Sequence, residues 1–112
     1  MAVPAKQNLS ITRGDTETIV LTMTSDGSTA IDITGRTYRA QIRTTKDATV
    51  IDATFTCSVI DGVNGEVQCS LTAVQTAALT VGIHYWDLEE TDGSNVSTIL
   101  SGSVNVLADV TR

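Results

Sequence analysis

Apolar side chains recur at every second position through most of this chain, and that rhythm leaves little room for anything but β-structure. Ile19, Leu21 and Met23 alternate with Thr18, Val20, Thr22 and Thr24. Tyr38, Ala40 and Ile42 alternate with Thr37, Arg39, Gln41 and Arg43, and His84, Trp86 and Leu88 with Tyr85, Asp87 and Glu89. Successive side chains of a strand point to opposite faces, so each series predicts one buried and one solvated face. Threonine, stiff at its branched Cβ, suits the outward positions of such a surface.

Turn chemistry divides the series into short pieces. Ser25-Asp26-Gly27-Ser28 and Lys46-Asp47 read as turns, and Ile31 and Ile33 as a short strand ending at Gly35. From Ala53 to Leu71 the pattern is a hairpin. Ala53, Phe55, Cys57 and Val59 share one face of its first arm, and Val67, Cys69 and Leu71 one face of its second. Asp61-Gly62-Val63-Asn64-Gly65 connects the arms and offers two glycines and an Asn for positive-φ positions. Pairing Ile60 with Glu66 sets Cys57 opposite Cys69. Thr72 to Leu79 alone has helical spacing and is short enough for one or two turns, closed by Gly82. Thr91-Asp92-Gly93-Ser94-Asn95 reads as a second hairpin loop, and Gly102 in the returning strand marks a bulge or a close backbone approach. The expected architecture is all-β, an antiparallel β-sandwich of seven to eight strands with one short helical turn. An eight-stranded barrel is the alternative. Outward charges such as Arg39, Arg43 and Glu66 are expected to guard strands against edge pairing.

The 112 residues suit one domain, here Leu9 to Arg112, preceded by a flexible arm from Met1 to Asn8. A hydrophobic share of 41% supports a packed core rather than disorder. The net charge of −6 repels phosphate backbones, and 4% aromatics is too few for a base-stacking platform, so nucleic acid is not an expected partner. Neither a membrane-length apolar run nor the basic and apolar pattern of a secretory signal occurs, so folding in a cytoplasm is expected.

Each chemically suggestive group has a plainer role. Arg13-Gly14-Asp15 is the tripeptide integrins recognise, yet turn formation accounts for all three residues. Cys57 and Cys69 lie within cross-strand disulfide reach, but in a reducing compartment they are expected as free, core-facing thiols. No CxxC or HxxxH spacing suggests a metal, and the run Asp87, Glu89, Glu90, Asp92 does not match a calcium loop. His84 shares the phase of Trp86 and Leu88 and is expected inside, bonded to a backbone carbonyl, with Trp86 as core anchor. No catalytic, cofactor-binding or metal-binding residue is assigned, and the chain is expected not to be an enzyme.

The string Leu71-Thr72, Gln75-Thr76, Leu79, Gly82-Ile83-His84-Tyr85-Trp86-Asp87-Leu88-Glu89, Asp92-Gly93, Leu100-Ser101-Gly102-Ser103-Val104-Asn105-Val106 and Asp109-Val110-Thr111-Arg112 resembles a pattern in tailed-phage structural proteins. Ile11-Thr12-Arg13-Gly14-Asp15-Thr16 and Ile31 through Arg43 fit the same pattern. It is similar to their small immunoglobulin-like domains, including the N-terminal domain of baseplate upper proteins. That family usually has Tyr where Trp86 stands here. The resemblance implies a non-enzymatic virion structural protein, an immunoglobulin-like module for protein–protein assembly in the tail, baseplate or fibre region, assembled in the bacterial host cytoplasm. Its partners would be other virion proteins and copies of itself, with no nucleic acid, membrane or cofactor. A capsid decoration protein on the head and a receptor- or carbohydrate-binding module are the alternatives. Longer relatives carry further modules after such a domain, so a standalone version is expected to act through its own faces. Val20 and the N-terminal arm are the candidate contacts.

Overall fold

A computed structural model describes residues 5–24 and 29–110. The turn expected at Ser25 to Ser28 lies outside them, as do Met1 to Pro4 of the arm. The strands are β1 (Ala5–Lys6), β2 (Leu9–Thr12), β3 (Glu17–Thr22), β4 (Thr37–Arg43), β5 (Ala53–Thr54), β6 (Thr56–Asp61), β7 (Glu66–Leu71), β8 (Gly82–Asp92) and β9 (Asn95–Leu107), with one helix, α1 (Ala73–Ala77). They form two sheets, one ordered β1-β9-β8-β4-β5 with β2 also on β9, the other ordered β3-β7-β6. The molecule is a sandwich, and the barrel is set aside.

Alternation assigned the faces well. Ala40, Ile42, Trp86, Leu88, Val104, Val106 and Ile11 fill the core from the larger sheet, and Val67, Cys69 and Leu71 from the smaller. Trp86 packs against Phe55 with ring centroids 5.8 Å apart and planes tilted 53°. Phe55 stands where the chain changes sheets: β5 ends at Thr54, β6 begins at Thr56, and the Phe55 N–H bonds the Ala40 carbonyl at 2.9 Å. Burying such side chains contributes about 1.5–3 kcal/mol each before entropy is counted.

Several expectations need correction. The sheets are not wholly antiparallel, because β1 and β2 run parallel to β9 in a single register from Ala5↔Leu100 to Thr12↔Leu107. Residues 5–8, expected as part of a flexible arm, thus lie along the sheet, and Gln7 N–H bonds the Ser101 carbonyl at 2.9 Å. Ile31 to Ile33 is not a strand. Asp32 draws the chain into a turn by accepting from Thr34 N–H at 2.9 Å and Thr34 Oγ1 at 2.6 Å, a local alternative to a sheet ladder. Ile33 still reaches the core, fully buried.

In the β6–β7 hairpin Cys57 does face Cys69, but a bulge leaves Ile60 unpaired and puts Asp61 opposite Glu66. Only Gly65 in that loop takes positive φ, at 70°, while Asn64 supports the turn by bonding Asp61. Glu66 guards no edge, since β7 is the middle strand of its sheet. The helix ends at Ala77 with Ala78 as its cap, and Gly82 opens β8 instead. Its start is a capping box: Thr72 accepts from Gln75 N–H while the Gln75 side chain accepts from Thr72 N–H.

Gly102 is the close approach the sequence suggested. The backbone of Gln7 lies against it so tightly that any Cβ would collide with the Gln7 carbonyl group. That carbonyl accepts the indole N–H of Trp86 at 2.7 Å, and Asn8 Oδ1 takes the Ser103 N–H at 3.1 Å. The N-terminal segment therefore closes the core over the only tryptophan.

Candidate functional site

His84 is 2% exposed on the inner face of β8. Its Nε2 lies 2.7 Å from the Thr80 carbonyl, the backbone partner expected from the sequence. Its Nδ1 lies 2.9 Å from Oδ2 of Asp52, which also accepts from Thr44 Oγ1 at 2.8 Å. The carboxylate was not foreseen, and a separation of 32 residues leaves no local signal for it. With both nitrogens in contact with protein partners and the ring out of solvent, His84 joins the β4–β5 connection to the start of β8 and has no nitrogen open to a substrate.

The Arg13-Gly14-Asp15 turn is docked on the helix. Arg13 donates to the Ala77 carbonyl at 2.8 Å, and Thr76, itself buried, donates through Oγ1 to the Asp15 carbonyl at 2.8 Å. An adhesive motif presents its arginine freely on a loop tip; this one is turned back onto its own fold. The acidic run divides as alternation requires. Asp87 and Glu89 lie on the outer face, where Glu89 meets Arg39 at 3.2 Å. Glu90 points inward, takes a hydrogen bond from Tyr38 and pairs with Arg36 at 3.4 Å; Arg36 also reaches Asp92 at 3.4 Å. Burial, with the Glu90 carboxylate beside it, holds the Tyr38 hydroxyl well above its ordinary range. Among the described residues no three His, Cys, Asp or Glu side chains are grouped to hold a metal ion.

The outer face of the larger sheet carries an open cleft of about 400 Å³ lined by Arg39, Gln41, Arg43, Lys46, Tyr85 and Asp87. The Lys46 ammonium stands 5.7 Å from the centre of the Tyr85 ring. Burial, then the neighbouring Glu89 charge, raises the Asp87 carboxyl above its usual range against the pull of Arg43 and Arg39. A carboxyl whose folded pKa is raised favours the fold below its unfolded value and loses that contribution as pH climbs through the folded one. Asp87→Asn is therefore expected to stabilise the chain slightly at neutral pH, by no more than a few tenths of a kcal/mol given solvent screening. Urea unfolding at neutral and acidic pH should show the gain shrinking as pH falls through the carboxylate range.

Farther along the same face, Ile83 and Leu107 are 54% and 44% exposed. Ile83 pairs with Asn105, two residues from Leu107, which makes the two apolar side chains diagonal neighbours. Val20, on the outer face of the smaller sheet, is likewise 54% exposed.

These features define a two-sheet, all-β sandwich domain with its histidine and most of its arginines engaged in bonds within the fold. No protein-family model matches the chain, and no curated protein matches its sequence. Among solved structures it is similar to the N-terminal domain of phage TP901-1 ORF48, with a TM-score of 0.57 and 13% identity, covering 96% of this chain and 91% of that one. The resemblance carried by the strand and turn residues extends to the fold in three dimensions.

Proposed function

We propose that this chain is a non-enzymatic structural component of a tailed-phage virion, an immunoglobulin-like module that joins proteins in the tail, baseplate or fibre region. The observation that carries the proposal is the end-to-end likeness to a phage domain, with nearly all of both chains aligned. The internal engagement of His84, Arg13 and the acidic run supports a role in assembly rather than chemistry. Partners of this class are other virion proteins and further copies of the chain, joined during assembly in the host cytoplasm.

Mass spectrometry of purified particles tests the reading, and absence of an expressed chain from the virion overturns it. Copy number separates the tail from the head: small multiples of three or six place it in a tail or baseplate, and hundreds of copies place it on the capsid as a decoration protein. A receptor- or carbohydrate-binding role has one observation in its favour, the half-exposed Tyr85 beside Lys46 in the outer cleft, and a glycan array would reveal it.

Ile83 and Leu107 are the residues best placed for a protein contact, being apolar, adjacent and outward-facing. The double variant Ile83→Lys with Leu107→Lys is expected to fold with stability within about 1 kcal/mol of the parent. Its incorporation into particles, measured against the parent in a competitive assembly, should fall by roughly tenfold or more, as loss of an apolar contact worth about 1.4 kcal/mol requires.

A further inference from the structure

Cys57 and Cys69 face each other across the β6–β7 ladder with sulfurs 3.3 Å apart and unbonded. Opposed residues of an antiparallel pair have Cα atoms about 4.5–5.5 Å apart, within the span a disulfide bridges without backbone movement. Their surroundings differ. Cys69 is fully buried on the central strand of the smaller sheet. Cys57 is half-buried on β6, an edge strand. The N–H and C=O of one strand residue point to the same side, and β5 stops short of Ala40's position. Ala40 therefore turns both groups toward β6: its carbonyl takes the Phe55 N–H, and its N–H bonds the Cys57 sulfur.

We propose that this pair is a thiol–disulfide exchange site, in which Cys57 attacks a small disulfide of the glutathione class and Cys69 then closes a cross-strand disulfide that pins edge strand β6 to β7. The hydrogen bond from Cys69, together with that from Ala40, holds the Cys57 thiol below its ordinary range. The bond to Cys57 and burial push the Cys69 thiol far up. Cys57 is thus the attacking thiolate and Cys69 the resolving thiol. In the first step the Cys57 thiolate forms a bond to one sulfur of the small disulfide, whose S–S bond breaks and releases one small thiolate. Cys69 then passes its proton to that thiolate and attacks the Cys57 sulfur, expelling the second small thiolate, which takes from water the proton Cys57 gave up in forming its thiolate. Two protein thiols are oxidised to one disulfide, and one small disulfide is reduced to two thiols. The chemistry stands whether or not the chain belongs to a virion.

Incubating the full chain with oxidised glutathione, then alkylating under denaturing conditions, tests the proposal. The expected product is monomeric, lighter by two hydrogens and closed to alkylation. Closing a short loop should raise its melting temperature by roughly 10 °C, reversibly with dithiothreitol. Cys69→Ser should accumulate a mixed disulfide at Cys57, while Cys57→Ser should react at Cys69 about tenfold more slowly or less. A lasting glutathione adduct on the parent chain, disulfide-linked dimers, two cysteines still open to alkylation, or equal reaction rates in the two serine variants would each overturn it.

Discussion

Gly102→Val should destabilise this protein by about 3–5 kcal/mol, a large part of the 5–15 kcal/mol that holds a typical domain folded. The new side chain meets backbone rather than a yielding side-chain tip, since the Gln7 carbonyl occupies the space a Cβ needs. Overpacking of this kind costs about 1–3 kcal/mol. Relief comes only if residues 5–8 leave β9, which takes the Trp86 indole N–H from its acceptor and uncovers part of the ring, a further loss of about 1–3 kcal/mol. Trp86 is the only tryptophan and is 3% exposed, so its emission reports the change directly. A red shift at low denaturant, ahead of global unfolding, is expected. Removing residues 1–8 should itself destabilise the chain, yet in that background Gly102→Val should cost little. Additive costs in the two backgrounds would refute the contact.

His84→Leu should cost a similar amount, about 3–5 kcal/mol, for an electrostatic reason. Leucine fills much of the space but takes from the Asp52 carboxylate, whose side chain is 21% exposed and keeps the Thr44 hydroxyl, its ring partner, and removes the ring from the Thr80 carbonyl. Asp52→Asn keeps an acceptor beside the ring and should cost about 1 kcal/mol. The pair His84→Leu with Asp52→Leu should be less harmful than the two single costs added together, because no charge is then stranded. Urea midpoints for the four proteins measure the coupling. A double variant as destabilised as that sum would mean that Asp52 and His84 act independently.

What alternation encodes is which way a side chain points, and it located Ile42, Cys69, Trp86 and Leu88 in the core. It says nothing about which strand lies alongside or in which direction that strand runs. For that reason the parallel pairing of β1 and β2 with β9 was not legible, although Leu9 and Ile11 carry the ordinary two-residue rhythm. Ile31 and Ile33 carry it too, and Asp32 breaks the strand between them. Turn glycines were legible as turns, but only the assembled fold distinguishes Gly65, chosen for its φ, from Gly102, chosen for the backbone against it. The candidate faces were legible in the same partial way. Val20 was marked by its phase, while Ile83 and Leu107 become neighbours only through the β8–β9 register.

The parallel seating of β2 on β9 has a mechanical consequence. The early strand enters beside Leu100 and the late strand leaves past Leu107, so the two run side by side in the same direction toward the same end of the sheet. Tension drawn through the two flanks of the domain would slide β2 along β9. It would strain the hydrogen bonds from Leu9 to Thr12 together rather than peel them open in turn, the arrangement in which a sheet yields least to stretching.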